Sequence, residues 1–328
     1  GRPAWESYLL DPLCQAAEAA WQAGIVVVAA AGNSGRDNSV DEHGYGTIAA
    51  PGNDPYVITV GAMNDNGTAT RSDDVIASYS SKGPTAFDHI VKPDLVAPGN
   101  GTVSLLAPNS TLATNYPVNL VPNSYYQTSG TGTSSTYLRL SGTSMATPVV
   151  SGAAVLLLQQ DPSLTPDQVK ARLMKTAEKT LPLTSTAYDQ VTLAPYTLQG
   201  DIFEYGAGYL DIEAALNNTD LTSLPALSAT AASSSTTSSS SNVVTISRNF
   251  STSWGSSTVW SDLLVYGSQV FSGVNASGLS ILWGSTAIWD VDDGGGGFYV
   301  IWGEATQLPA LVTALAVGGG DFSVVWGD

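Results

Sequence analysis

The stretch DPLCQAAEAAWQAGIVVVAAAGN, residues 11–33, joins two patterns that together indicate a fold class. Its first half has the boundary signals of a helix, because Asp11 can cap it, Pro12 suits the first helical position and Gly24 suits the end. Its second half, IVVVAAAGN, is apolar on both faces and too short for a helix, which is typical of a central strand in a parallel sheet. The stretch therefore predicts a helix that leads into a buried strand.

The same alternation of helix and strand continues along the chain. YVITVGA, from Tyr56, is a second apolar strand candidate, and VIASYSS, from Val75, is shorter and more polar, which suits a position nearer an edge. Thr165 and Gln168 then have the spacing of a capping box ahead of residues with helical periodicity. Alternating strands and helices predict an α/β fold with a parallel sheet.

The composition excludes some classes of partner. The 328 residues carry a formal net charge of −17, so nucleic acid and anionic lipid surfaces would be repelled. No apolar run reaches the roughly 18 residues that a membrane span needs. Charged residues make up only 12% of the chain, and together with the abundance of small polar residues this favours a secreted or cell-surface protein. The single cysteine, Cys14, excludes an intrachain disulfide and is expected in the core.

A low-complexity stretch divides the chain. SATAASSSTTSSSSN, residues 228–242, has nothing to bury and predicts a flexible linker between residues 1–227 and a second module of residues 243–328. That module holds four Trp-Gly pairs, each after β-branched or large apolar residues, which predicts a repeat of short strands that end at Gly turns. We expect its Trp side chains to form the core of a small, mostly β module. The alternative is a non-catalytic secreted or surface protein that binds through exposed Trp side chains.

The segment RLSGTSMATPVVSGAAVLLL, residues 139–158, places a serine at the start of a helix candidate. Gly142 permits a tight turn, and Pro148 is tolerated only near the first helical turn, so the helix is expected to begin close to Ser144. A serine hydroxyl is a nucleophile only where a base takes its proton and donors receive the oxyanion. The amides of a helix that begins here would direct their positive end at such an anion. The alternative is that Ser144 merely caps a buried helix.

A second element supplies a further donor. Asn33 follows the buried strand, at the edge where open parallel sheets form their clefts. Its side-chain N–H and the backbone N–H of Ser144 would be two donors to one oxyanion. Taken alone, Asn33 also fits a simple turn residue.

Four segments, in order, resemble those of the subtilisin-like serine proteases, the subtilases: AAAGNSG, YVITVGAMNDNGTATRSDDVIASYSSKGPT…KPDLVAPG, SGTSMATPVVSGAAVLL and GAGYLDIEAAL. The resemblance covers residues 1–216 and implies a subtilisin-like fold and a serine endopeptidase that acts on polypeptides. It makes Ser144 the nucleophile and Asn33 the side-chain oxyanion donor. It further implies substrate contacts, with Ala30, Ala31 and Gly32 in the wall of the pocket for the residue before the cut, and Gly1 beside the strand that binds extended peptide.

The resemblance also implies residues that this chain lacks. The family's triad runs Asp, His, Ser, with Asp and His ahead of the oxyanion Asn. The residues before Asn33 contain no histidine, and the two histidines present, His43 and His89, follow it without the expected neighbours. Three explanations stay open: a part of a longer gene product, one chain of a processed enzyme whose N-terminal portion carries Asp and His, or a non-catalytic relative. Under each, we expect the isolated chain to show little peptidase activity.

The sequence shows no calcium-ligand pattern and departs from the motifs of two other hydrolase classes. The chemistry requires no cofactor, and although subtilases often bind calcium, the acidic stretches RDNSVDE and RSDD have no recognisable ligand pattern. An α/β-hydrolase would need G-x-S-x-G, from which GTSMA departs. Sedolisin-type peptidases resemble SGTS but carry Asp where this chain has Asn33. The insertion between Asn100 and Ser141 predicts a surface loop in its Tyr- and Ser-rich middle.

Overall fold

The structure is a computed structural model that describes residues 1–37, 44–182, 184–188, 195–199, 202–222, 225–228 and 230–235, and the backbone of short strands between 242 and 302. Six helices are described: α1 Pro12–Gln22, α2 Thr111–Asn115, α3 Thr143–Gln160, α4 Pro166–Thr176, α5 Ile202–Tyr205 and α6 Ile212–Asn217. The first eleven described strands are β1 Arg2–Pro3, β2 Val28–Ala30, β3 Ala49–Ala50, β4 Ile58–Asn64, β5 Val75–Ile76, β6 Leu95–Pro98, β7 Thr102–Leu105, β8 Leu120–Pro122, β9 Thr133–Leu140, β10 Thr184–Tyr188 and β11 Pro195–Gln199.

Strand β4 is the centre of the main sheet. It runs parallel to β2 and to β6, and β5 pairs antiparallel with its last two residues. Helix α3 packs against β2, β4 and β6, and its small residues Ala146, Ala153 and Ala154 are buried there, which allows the helix to approach the sheet closely. The predicted α/β fold with parallel strands is confirmed for this part of the chain.

The helix boundaries follow the local signals. The Asp11 side chain accepts a hydrogen bond from the Leu13 N–H at 2.8 Å, and Gly24, two residues after α1, has φ +90°. At α4, Thr165 and Gln168 exchange the two hydrogen bonds of a capping box, at 3.0 and 3.3 Å. Both predicted helix starts are confirmed.

The insertion between Asn100 and Ser141 forms a second sheet. Its strand order is β7-β9-β8, and β9 pairs antiparallel with both neighbours. The prediction of a surface loop for its Tyr- and Ser-rich middle, residues 123–137, was wrong for residues 133–137, which belong to the central strand β9. The sequence signal is weak because the strand, TSSTYLRL, buries only Ser134 and Leu138, so no apolar alternation is visible.

A cluster of charged side chains lies in the core. We define the buried charge cluster as Lys92, Asp94, Lys170 and Ser228, all 0% exposed. Asp94 Oδ2 accepts from Lys92 Nζ at 2.7 Å, and Asp94 Oδ1 accepts from Ser228 Oγ at 2.5 Å and lies 3.3 Å from Lys170 Nζ. The Thr59 N–H completes the set of donors to Asp94 at 2.7 Å. Every charge in the cluster has a partner, as buried charges require.

The protonation of the cluster is set by burial and by its own charges. Burial lowers the pKa of Lys92, and it lowers that of Lys170 to about 7, although Asp94 acts in the opposite direction. Burial alone would raise the pKa of Asp94, but the two lysine ammonium groups outweigh burial and lower it. Lys170 Nζ also donates to the carbonyl oxygens of Pro55, Tyr56 and Val57, so it remains hydrogen-bonded.

The cluster extends the folded unit beyond α6. Ser228 donates to Asp94, and the Ala226 N–H donates to the Asp167 side chain at 2.8 Å. Beyond residue 229 the described backbone strands are β12 Thr230–Ser235, β13 Asn242–Ser247, β14 Ser253–Trp254, β15 Ser257–Thr258, β16 Leu282–Trp283, β17 Ala287–Asp290 and β18 Tyr299–Trp302. Strand β12, within the predicted linker, pairs antiparallel with β13. The division at residues 227 and 242 and the Trp-Gly repeat stay predictions.

Candidate active site

Ser144 is the second residue of α3. It is exposed at the helix N-terminus, whereas its neighbour Thr143 is fully buried. Gly142 precedes the helix with φ +153° and ψ +158°, a backbone region that is essentially restricted to glycine. The N–H groups of Met145 and Ala146 already donate to the Gly142 carbonyl, so the Ser144 N–H belongs to the first-turn donors without an intrahelical acceptor. The Ser144 hydroxyl therefore lies at the N-terminal, positive end of the α3 dipole, as predicted.

Asn33 is held against this helix start by Thr143. Its Oδ1 accepts from the Thr143 backbone N–H at 2.9 Å and lies 3.1 Å from the Thr143 hydroxyl. Thr143 Oγ1 also accepts from the Gly32 N–H at 3.1 Å. Because the carboxamide oxygen is occupied, the NH₂ group is the part of Asn33 left to donate elsewhere. Asn33 thus caps α3 from a distant part of the chain while keeping its donors.

Hydrogen bonds to the Gly99 carbonyl hold Gly142 in place. The Gly142 N–H donates to the Gly99 carbonyl at 2.9 Å, and the Tyr79 hydroxyl donates to the same carbonyl at 3.0 Å. Burial raises the pKa of Tyr79 to about 12, so the phenol keeps the proton that it donates. The turn before Ser144 is consequently anchored to the sheet through hydrogen bonds that persist into the alkaline range.

Ser144 and Asn33 face one cleft. It has a volume of about 460 Å³ and is lined by residues 1–4, 30, 32–34, 37, 46–49, 143 and 144. Gly1, Ala30 and Gly32, which the resemblance implied as substrate contacts, lie in this wall. Ala31 lies behind it with 0% exposure, because successive side chains of an extended segment point to opposite sides. The Ala31 side chain therefore lies in the core behind the pocket, and the contact role that the resemblance implies for this residue stays a prediction.

The strand along this cleft is tied to α1. β1 pairs antiparallel with β3, and Arg2 Nη2 lies 2.9 Å from the buried Asp11 side chain that also caps α1. The Arg2 guanidinium also stacks 4.9 Å from the centre of the Trp5 ring. This ion pair fixes the cleft strand to the helix that leads into β2.

Neither histidine is placed as a base for Ser144. His43 lies outside the described residues, and His89 is partly buried in a turn and is not among the residues that line the cleft. Burial lowers the pKa of His89, although the neighbouring Asp88 acts in the opposite direction. In the part of the chain that the structure describes, no group of three or more His, Cys, Asp or Glu side chains is arranged to hold a metal ion. Nor is any helix among these residues long and apolar enough to cross a membrane.

Thr143 and Ser81 support the site in ways that the sequence did not predict. The sequence pattern indicated no role for Thr143, whereas its hydroxyl and N–H orient Asn33, which lies 110 residues earlier in the chain. Ser81 was missed altogether, and its hydroxyl accepts from the Ser34 N–H at 3.0 Å, which supports the segment after Asn33. Local sequence carries no signal for either pairing, because both join distant parts of the chain.

An exposed serine and an asparagine share a cleft at the N-terminus of α3, the arrangement that a nucleophile and an oxyanion donor would need. The profile described as the subtilase family matches residues 4–208, which is more than half of the chain. The chain belongs to the subtilase family, a family of serine proteases.

Two curated relatives agree with this assignment. The chain is 48% identical over 169 residues to serine protease AprX of Bacillus subtilis (strain 168), a match that covers 52% of this chain and 34% of that protein. It is 34% identical over 203 residues to subtilisin DY of Bacillus licheniformis, covering 62% and 51%. The solved structure of the prenylagaramide maturation protease PagA aligns with 62% of this chain and 54% of its own, at 25% identity and a TM-score of 0.39. The chain thus spans about half or less of the length of each of these two curated relatives.

Proposed function

We propose that this chain carries the nucleophile and the oxyanion donors of a serine endopeptidase that hydrolyses peptide bonds in polypeptides. The observation that supports this most is the placement of Asn33: its carboxamide oxygen is fixed by Thr143, and its NH₂ group is left to the cleft that Ser144 shares. A serine that only caps its own helix would need no such partner. The donors are therefore oriented before any substrate arrives.

The reaction uses these groups in order. Ser144 Oγ loses its proton to a base and forms a bond to the carbonyl carbon of the scissile peptide, whose oxygen becomes the oxyanion. The Asn33 NH₂ and the Ser144 N–H stabilise that oxyanion. The C–N bond then breaks, the base returns the proton to the leaving amine, and Ser144 holds an acyl ester. Water then gives a proton to the same base and attacks the acyl carbon; the ester C–O bond breaks, the base returns the proton to Ser144 Oγ, and the carboxylic acid product leaves.

We place the base and its orienting carboxylate in a portion of the protein outside these 328 residues, so the protein is a longer chain or a two-chain enzyme. Exposed apolar side chains among the described residues support this. Val155 and Leu156 on α3 are 63% and 40% exposed, and Ile25, before β2, is 58% exposed. β2 pairs only with β4 among the described strands, so its other edge is open to a further strand. A helix this apolar is ordinarily buried on both sides.

Substrates and location follow from the same proposal. The substrates are extended polypeptides that bind along the cleft strand Arg2–Pro3 and the wall at Ala30 and Gly32. The mechanism requires no cofactor, and structural calcium has no assigned residues. The low content of charged residues, 12%, favours action outside the cell or at its surface.

The test compares the 328-residue chain with the same chain expressed together with the upstream coding sequence of its gene. We expect turnover of a peptide substrate and labelling of Ser144 by a fluorophosphonate only in the second protein, and loss of both in Ser144→Ala. Ser144-dependent turnover by the 328-residue chain alone would contradict the external base. A complete protein that leaves Ser144 unlabelled would contradict the proposed chemistry.

A further inference from the structure

The sheet of the insertion carries an apolar face toward solvent. Leu105 pairs with Tyr137 and Val103 with Arg139, so these four side chains share one side of the sheet, opposite the buried Leu138. Val103 is 54% and Leu105 75% exposed. The ring of Tyr126 packs edge-on against Tyr137 at 5.3 Å and extends the surface. We define the outer face as Val103, Leu105, Tyr126 and Tyr137. Contiguous exposed apolar surface of this kind marks an interaction site.

The same sheet has a free edge. β7 pairs with β9 on one side, and no described strand pairs with its other side. All of Val103, Ser104 and Leu105 are exposed, so the backbone on this side is accessible. An exposed, apolar edge strand without a charge of its own is a template for the addition of another extended chain.

Hydrogen bonds connect this edge to the segment that precedes Ser144. The first residue of β7, Thr102, pairs with Leu140, and the Gly101 N–H donates to Ser141 Oγ at 2.9 Å. A strand added to β7 would lie about 4.8 Å beyond it, its end level with the residues that lead into Ser144. None of the residues of this sheet lines the cleft, so the surface is separate from the cleft wall.

The charge of the insertion limits what it can recognise. Residues 101–140 contain one charged side chain, Arg139, in a chain of net charge −17. A partner selected by charge would find little to pair with here, whereas an extended apolar segment finds backbone hydrogen bonds at the edge and apolar contacts on the outer face.

We propose that the outer face and the free edge of β7 bind an extended, apolar stretch of the polypeptide substrate outside the cleft, next to the bond that Ser144 attacks. This inference rests on the proposed function, since it names the class of substrate that the same site takes. The surface selects unfolded segments rich in apolar residues, because a folded protein does not offer a free strand.

Binding without turnover tests the proposal. The probe is a fluorescein-labelled nonapeptide of alternating serine and valine with a lysine at each end, measured by anisotropy against the 328-residue chain carrying Ser144→Ala. The double variant Val103→Asp/Leu105→Asp should raise Kd about tenfold, and Val103→Ser/Leu105→Ser should weaken binding in the same direction. Leu221→Asp, an equally exposed leucine elsewhere, should leave Kd within about twofold. Both substituted side chains are exposed, so circular dichroism should be unchanged.

Each contrary outcome is distinct. An unchanged Kd in the double variant, or no binding by the parent, would overturn the proposal. If sedimentation instead showed a dimer of the parent that the double variant loses, the occupant would be a second copy and the proposal would be wrong. Fluorophosphonate labelling of Ser144 in the complete protein reports the chemistry separately. A protein that binds the peptide through the outer face but leaves Ser144 unlabelled would retain this surface and lose the proposed function.

Discussion

The Ser144 site and the buried charge cluster are the two polar centres of this molecule, and they differ in how fully their groups are paired. Asp94 has four donors around it and is 0% exposed, and both lysines are equally buried. Ser144 is exposed, and Asn33 keeps its NH₂ group unused while its oxygen is fixed. In a site that stabilises the fold, the buried donors and acceptors are all paired. In a site that acts on a ligand, some donors are left to bind that ligand.

The largest expected effect is on stability, at the cluster. Asp94→Ala leaves two buried lysines without their common carboxylate, so we expect a loss of about 3–5 kcal/mol in the free energy of unfolding by urea. Glu213→Ala, which removes an exposed carboxylate from α6, is the matched control and should cost under about 0.5 kcal/mol. Asp94→Asn keeps the shape and should fall between them. Equal effects of the Asp94 and Glu213 variants would contradict the structural role of the cluster.

The next largest effect is on catalysis, at Asn33. Asn33→Asp keeps an oxygen to cap α3 but replaces the NH₂ donor, so in the complete protein kcat should fall by about 10²–10³ at little change in KM. A carboxylate at a helix N-terminus is favourable, so thermal stability should hold. Asn33→Ala, which also removes the cap, should lose activity and about 1 kcal/mol of stability together. An active Asn33→Asp enzyme would show that this donor is not used.

Stability should depend on pH in a direction set by the buried lysines. The pKa of Lys170 and that of Lys179 are lowered by burial to about 7 from an ordinary 10.5, so the unfolded chain binds more protons between pH 7 and 10. The free energy of unfolding should therefore rise with pH, by about 2 kcal/mol for each of the two lysines between pH 7 and 9, since one such group contributes at most about 1.4 kcal/mol per pH unit. Above about pH 10 the trend should reverse, because burial raises the pKa of Tyr79 to about 12 and the unfolded chain then releases its proton first.

Urea titrations at several pH values measure this trend. Lys170→Met removes one titrating group and should flatten the rise. A free energy of unfolding that falls between pH 7 and 9 would contradict the effect of burial on these lysines.

The smallest expected effect is at Ser228. Ser228→Ala removes one donor to Asp94 and one acceptor for Lys170, which should cost about 1–2 kcal/mol of stability. Ser163→Ala, which removes an exposed hydroxyl bonded to Asp161, should cost under about 0.5 kcal/mol. If the two serine variants were alike in urea unfolding, residue 228 would belong to the linker rather than to the core.

The sequence predicted what local patterns encode. The α/β fold, the cap of Asp11, the capping box at Thr165 and the meeting of Ser144 with a helix start all depend on neighbouring residues. The cluster could not be predicted, because Ser228 lies 134 residues from Asp94 and nothing near either residue indicates the pairing. The insertion's central strand was missed because its residues are mostly polar and exposed.

The measurement that tests the central claim most directly is mass spectrometry of the complete protein after reaction with a fluorophosphonate. The account predicts one phosphonyl group, on Ser144, absent from Ser144→Ala and formed far more slowly in Asn33→Asp, with both variants folded to the parent's Tm. A label on another residue, or no label on a folded complete protein that cleaves peptides, would contradict Ser144 as the nucleophile.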